Sequence, residues 1–127
     1  GIMEILARLK EMNCLMAIVS NKLDSAVKEL NQRIFSDYIP IAIGESENVR
    51  RKPEPDTVYE AIRELGVRKD ECIYVGDSEV DFMTAENSGM DCVLVTWGFR
   101  TEEELADCTP KAWIQSPEEL LAVLETV

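Results

Sequence analysis

Asp77 and Asp81 stand four residues apart, just after a glycine that ends the apolar run Cys72 to Val75. At the start of a helix that spacing aims both carboxylates at one point, and hard oxygen donors of this kind suit Mg²⁺. An alternative stays open from the residues alone: Asp77 caps the following helix while Asp81 remains solvated in its first turn. Ser20 and Asn21 place a hydroxyl and an amide at the exit of a second apolar run, Leu15 to Val19, ahead of a helical pattern. Free backbone N–H groups and the helix dipole favour an anion there, although ordinary turn chemistry uses the same residue types. Arg50, Arg51 and Lys52 form a cationic run stiffened by Pro53 and Pro55. Such runs are usually solvated surface. A lysine clamped by prolines nevertheless has a defined reach, and a fixed ammonium is what a phosphoryl group or a buried carboxylate nucleophile requires.

These side chains need rigid elements behind them, and the hydrophobic pattern predicts alternating helices and strands. Ile2, Ile5, Leu6 and Leu9 share one helical face, with the pattern ending near Asn13. Leu15 to Val19, Cys72 to Val75 and Cys92 to Val95 are short and apolar throughout, as strands buried on both faces should be. Pro40 inside Ile39 to Ile43 demotes that run to an edge strand. Helices are expected from near Asp24 with Ala26, Val27 and Leu30 inward, through Val58, Ala61, Ile62 and Leu65 to Gly66, and from Ser78 to Ser88 with Gly89 as the stop. Thr101 with Glu104 and Ser116 with Glu119 have capping-box spacing, and the second opens a final helix through Leu120, Leu121 and Leu124. Ala112 to Ile114 reads as a last short strand. The alternation predicts an α/β fold: an open, mostly parallel, Rossmann-like sheet flanked by helices. In such sheets ligands bind beyond the carboxyl ends of the strands, where Ser20, Asn21 and Asp77 fall.

The chain's 127 residues, 46% of them hydrophobic, imply a single domain over residues 1–127. Acidic residues number 25 against 13 basic, and a formal charge of −12 argues against nucleic-acid binding, which draws its affinity from clustered cations. Histidine is absent, which removes every Ser-His-Asp or Cys-His arrangement and every zinc site with histidine ligands. Cys14, Cys72, Cys92 and Cys108 form no CxxC pair and read as buried free thiols, which suggests a reducing compartment. No apolar run approaches the ~20 residues of a membrane span. The amphipathic start of the chain is unlike a signal peptide, so the expectation is a cytoplasmic protein with no membrane partner.

In chain order the candidates run strand-Ser-Asn, then Lys-Pro, then strand-Gly-Asp with a second Asp following. That series resembles the haloacid dehalogenase-like superfamily, in its phosphoglycolate-phosphatase-like branch. The resemblance is carried by Ala17-Ile18-Val19-Ser20-Asn21-Lys22, by Arg51-Lys52-Pro53-Glu54-Pro55 and by Tyr74-Val75-Gly76-Asp77-Ser78-Glu79-Val80-Asp81. It continues through Ala85-Glu86-Asn87-Ser88-Gly89-Met90 and Val95-Thr96-Trp97-Gly98-Phe99-Arg100, and so covers nearly the whole chain. Leu23, where relatives often carry proline, is a small departure. The resemblance implies a Mg²⁺-dependent phosphomonoester hydrolase acting on a small phosphorylated metabolite. It implies that Ser20 hydrogen-bonds the transferring phosphoryl group, that Asn21 helps hold the phosphate, and that Lys52 offsets charge on nucleophile and phosphoryl oxygens. Asp77 would be a direct Mg²⁺ ligand, and Asp81 a ligand through water or a support for the lysine. Trp97, Phe99 and Arg100 are candidates to border the site, with packing and surface roles as the alternative.

The same resemblance implies a first strand ending in Asp-x-Asp, whose first acid forms an aspartyl-phosphate and whose second is the general acid and base. No Asp-x-Asp occurs in the chain, and Asp24, Asp37, Asp56 and Asp70, the acids before Asp77, follow no apolar strand at the chain start. The expectation is therefore the C-terminal part of such a core, without its central nucleophile strand or its cap domain, and inactive alone. The gap between the Ser20 and Asp77 strands would be filled by an upstream fragment, by a second chain, or by direct pairing of the flanking strands. Two other classes fit parts of the pattern: a non-catalytic phosphate-binding or interaction module, and a receiver-type signalling domain. The receiver fits poorly, because its acidic cluster should follow the first strand and its Lys-Pro should come late.

Overall fold

The computed structural model describes residues 1–98, 100–101 and 103–124, so Phe99 lies outside the described residues. Helix α1 (Ile2–Glu11) buries Ile5 and Leu9, and Asn13 at φ 62 turns the chain out of it. Strand β1 (Ala17–Leu23) leads into α2 (Asp24–Ile34), and β2 (Ile41–Glu45) begins directly after Pro40. Helices α3 (Asp56–Leu65) and α4 (Glu79–Ser88) end on Gly66 and Gly89, each in the left-handed conformation at φ 71. Between these helices lie a 3-10 turn at Lys69–Glu71 and strand β3 (Ile73–Gly76). Strands β4 (Asp91–Val95) and β5 (Ala112–Ile114) and helix α5 (Glu119–Leu124) follow.

Every strand pair is parallel, as the alternation with helices requires, and the fold is α/β. The strands form two small sheets rather than one, ordered β1-β2 and β3-β4-β5. Among the described residues β1 and β3 do not pair, so direct closure of the gap by its flanking strands is not the solution this fold adopts. Helices α2 and α3 lie against β1 and β2, α4 lies against β3 and β4, and α3 meets α4. One core cluster, Val58, Tyr74, Ala85, Cys92 and Leu94 with Val19 and Phe82 beside it, draws on both sheets. Burial of each large apolar side chain there stabilises by roughly 1.5–3 kcal/mol. A second cluster of Val93, Val95 and Ile114 lies under Leu120 of α5.

Three local expectations shift. Strand β1 starts at Ala17, where pairing with Ile41 begins, and leaves Leu15 60% exposed; it then runs on through Ser20 to Leu23. Strand β2 starts at Ile41 because Pro40 has no N–H to give a ladder. The Thr101–Glu104 box forms, with each residue's N–H donated to the other's side chain, yet it opens only a turn over residues 103–107. All four cysteines are free thiols; Cys92 is buried, the other three partly so, and burial pushes the Cys92 thiol up to about 12. Among the described residues no helix is long and apolar enough to cross a membrane.

Candidate active site

The exit of β1 is irregular. Strand β1 advances from Val19 to Leu23 while β2 advances only from Ile43 to Glu45, so three residues, Ser20, Asn21 and Lys22, stand opposite one, Gly44. Asn21 reaches the loop after β2, where its Oδ1 accepts the Lys52 N–H at 2.5 Å and its Nδ2 donates to the Lys52 carbonyl at 3.3 Å. Both ends of the amide are thus engaged on the Lys52 backbone. From the other side, Asn87 of α4 donates to the Pro53 carbonyl at 2.8 Å. The lysine loop is therefore anchored to both halves of the molecule.

Lys52 Nζ lies 2.7 Å from Asp81 Oδ1, with side-chain exposures of 14% and 8%. The Tyr74 hydroxyl donates to the same oxygen at 2.8 Å, while Oδ2 accepts the Asp77 N–H at 3.0 Å and the Ser78 hydroxyl at 3.1 Å. Burial pushes the Asp81 carboxyl up, but the Lys52 ammonium, the Asp77 N–H and the Tyr74 hydroxyl outweigh it and leave the acid below its ordinary value. This geometry differs from the simple capping picture. Ser78 caps α4 by accepting the Asp81 N–H at 3.2 Å, and Asp81 is buried rather than solvated. Gly76 makes the fold-back possible, because a β-carbon there would collide with the Asp81 side chain.

Asp77 is in the opposite situation. It forms no ion pair among the described residues; burial and then the charge of Asp81 push its carboxyl above the ordinary value, and Lys52 offsets this only in part. Gly98, in the turn after β4, lies flat against it, and a β-carbon at Gly98 would sit 2.6 Å from the Asp77 β-carbon. Arg100 follows two residues later. Asn21, Lys52, Asp77, Ser78, Asp81 and Arg100, together with Val80, line a cleft of about 250 Å³. Of the residues singled out in the sequence, Ser20 lies outside this lining, its hydroxyl accepting the Lys22 N–H at 3.2 Å, and Trp97 is 44% exposed, also outside it. Tyr74 and Ser78 were not anticipated. Ser78 stands three residues before Asp81, a capping spacing, and Tyr74 is a hydroxyl-bearing residue in an otherwise apolar run, which buried must find a partner.

Fold and cleft together define a parallel α/β protein with a polar site beyond its strand ends, built on a buried lysine–aspartate pair beside a second carboxylate that forms no ion pair among the described residues. The family model of haloacid dehalogenase-like hydrolases matches residues 1–95, and the chain belongs to that family. The phosphoglycolate phosphatase of Rhodobacter capsulatus is 41% identical to it over 101 residues, covering 79% of this chain and 45% of that protein. A phosphoglycolate phosphatase of Photorhabdus laumondii is 30% identical over 120 residues, covering 94% of this chain and 51% of its own. A crystal structure from Lactobacillus delbrueckii, which carries a provisional phosphoglycolate phosphatase assignment, superposes with a TM-score of 0.92 at 38% identity, covering 98% of this chain and 52% of that one. The chain spans about half the length of the curated relatives it matches. The resemblance carried by the Ser20, Lys52 and Asp77 segments thus holds at the level of the family.

Proposed function

We propose that this chain supplies the phosphate-handling part of a Mg²⁺-dependent phosphomonoester hydrolase, with a small phosphorylated metabolite of the phosphoglycolate kind as substrate. The Asp nucleophile comes from a segment outside these 127 residues. One observation carries the reading: the nearly buried Lys52 ammonium is fixed by Asp81 at 2.7 Å, beside an Asp77 carboxylate with no cation of its own. A fixed ammonium at that point offsets charge on the nucleophile and on the transferring phosphoryl oxygens. Asn21 positions the lysine through its backbone, and Ser20 turns its hydroxyl from Lys22 to the phosphoryl group when substrate is present. Asp81, with both oxygens engaged, serves as the lysine's anchor.

Asp77 is the residue that would hold Mg²⁺, since it is a hard oxygen donor that forms no ion pair among the described residues and is only partly offset by Lys52. Among the described residues no three acidic or thiol donors are arranged to hold a metal ion, so water and phosphoryl oxygens would have to complete the shell of an ion on Asp77. Bound there, the ion would neutralise charge on the phosphoryl group. Free thiols and a strongly acidic surface support action in the cytoplasm, on a small metabolite rather than on nucleic acid or membrane. The lane between β1 and β3 supports a further parallel strand as the carrier of the nucleophile, delivered by an upstream fragment or by a second chain. Val75, in β3 beside that lane, is 43% exposed.

The test is reconstitution. The chain alone should release no phosphate from phosphoglycolate. Adding the part of the R. capsulatus relative that lies outside the matched region, in trans or fused ahead of Gly1, should restore Mg²⁺-dependent release. Lys52→Ala or Asp77→Ala should then lower the rate by about a hundredfold or more, the scale of one preorganised charge. A reconstituted protein indifferent to both substitutions would overturn the reading. Light scattering on the chain alone addresses the second-chain option, which a well-behaved 14.3 kDa monomer excludes.

A further inference from the structure

We propose that Asn87 is a positioning residue for Lys52: from α4 it fixes the backbone of the lysine loop, so that the ammonium meets the phosphoryl group at one set place. The inference rests on the phosphatase reading of the site and adds to it a residue that touches no substrate. Asn87 Nδ2 donates to the Pro53 carbonyl at 2.8 Å, one residue beyond the Lys52 carbonyl that Asn21 takes at 3.3 Å. Successive carbonyls of one loop are thus held by two asparagines, one from β1 and one from α4. The Tyr59 hydroxyl of α3 donates to the Asn87 carbonyl at 3.4 Å, which ties the helix that follows the loop to the same residue.

The separation of the two sheets gives that bond its importance. Asn21 ties Lys52 to the β1-β2 sheet, whereas Asp81, the partner of its ammonium, stands on α4 beside the other sheet. With those two contacts alone the halves would be joined here through a flexible four-carbon stem, and the lysine could take up any shift of the loop by changing its extension. Asn87 stands six residues after Asp81 on the same helix, about 9 Å along its axis. Helix α4 therefore holds Lys52 by its ammonium at one point and by the adjoining backbone at another, which sets how far the side chain reaches. An amide suits the task because it brings N–H donors to the carbonyl, where an ionised Asp would bring only acceptors. The bond lies in the helix layer, where α3 meets α4, and so does not compete with a further strand between β1 and β3. One exposed hydrogen bond contributes modestly to stability, but misplacing a catalytic charge slows the chemistry steeply.

The test uses the fused protein, with the R. capsulatus part ahead of Gly1, and two readouts. Asn87→Ala and Asn87→Asp should each lower kcat for phosphoglycolate by about fivefold, the scale of one hydrogen bond, while KM stays within about twofold. Asn87→Gln, which keeps the donor on a longer arm, should recover part of the loss. The second readout needs no turnover: labelling of Lys52 by acetic anhydride relative to Lys10 of α1, measured by mass spectrometry, should rise severalfold in Asn87→Ala. The urea midpoint of that variant should stay close to the parent's, since Ala is the better helix former. An unchanged labelling ratio overturns the inference, as does an unchanged kcat in an active fusion. A loss of kcat matched by a fall in the urea midpoint also overturns it, by making Asn87 a merely stabilising residue. A fusion with Asn87 intact that releases no phosphate overturns the phosphatase reading, and the labelling ratio then decides the placement of Lys52 by itself.

Discussion

The Lys52 ammonium and the Asp81 carboxylate, 2.7 Å apart, join two sheets that share no strand ladder. Lys52 follows β2 and is held by Asn21 of β1, whereas Asp81 belongs to α4 and binds the Asp77 N–H at the end of β3. One ion pair with its supporting hydrogen bonds therefore aligns the strand ends on which the cleft depends.

Removing one partner should cost more than removing both. Lys52→Met leaves the Asp81 charge buried and is expected to destabilise the chain by about 3–5 kcal/mol, measured by urea unfolding. Lys52→Met combined with Asp81→Leu should recover part of that loss. Additive effects of the single substitutions would mean that the pair does not couple the halves.

Asn21→Ala deletes both hydrogen bonds to the Lys52 backbone, each contributing about 1 kcal/mol. The amide of Lys52, which donates to Asn21, should exchange with solvent faster in the variant while the amides of β4 keep their protection. Equal loss of protection at both places would point to global destabilisation instead.

Acid stability should depend on Asp24. Partial burial pushes its carboxyl up, but the Gly44 N–H at 2.9 Å and the Lys28 ammonium outweigh this and hold it below the ordinary value. A carboxyl depressed in the folded state contributes stability that is present above its unfolded value, near 3.9, and is lost as pH falls through the folded one. Asp24→Asn should lower the melting temperature at neutral pH and flatten its decline below about pH 4. An unchanged acid limb would remove Asp24 from the account.

Gly98→Ala tests the close approach to Asp77. A β-carbon at 2.6 Å from the Asp77 β-carbon forces the turn or the carboxylate to move, at an expected cost of about 1–3 kcal/mol. Chemical-shift changes should centre on Asp77, Ser78 and Arg100. Changes confined to residue 98 and its chain neighbours would show that the turn absorbs the methyl group without disturbing the cleft.

The sequence by itself determined the elements and most of the cast. Apolar period and turn chemistry are local properties, so α1, the Gly66 and Gly89 stops and the strands ending near Val75 and Val95 were legible to within about two residues of where they form, whereas the first strand starts two residues later than its apolar run and ends four residues beyond Val19. Asp77 stood out as an acid just beyond an apolar run, Asp81 by its spacing from Asp77 and Lys52 by its proline-clamped cationic run, and the structure brings all three to one cleft. What each does was decided only by the tertiary structure. The hydrogen-bond partner of Asn21, the Lys52 backbone 31 positions away, is invisible in the sequence. The spacing of Asp77 and Asp81 is the same whether the second carboxylate faces solvent or folds back under Gly76, and only packing around Tyr74 and Lys52 selects the buried arrangement. Strand pairing is likewise non-local: a short apolar run carries no label for its neighbour. The division into two sheets goes with α3 and α4 seating against separate strand pairs.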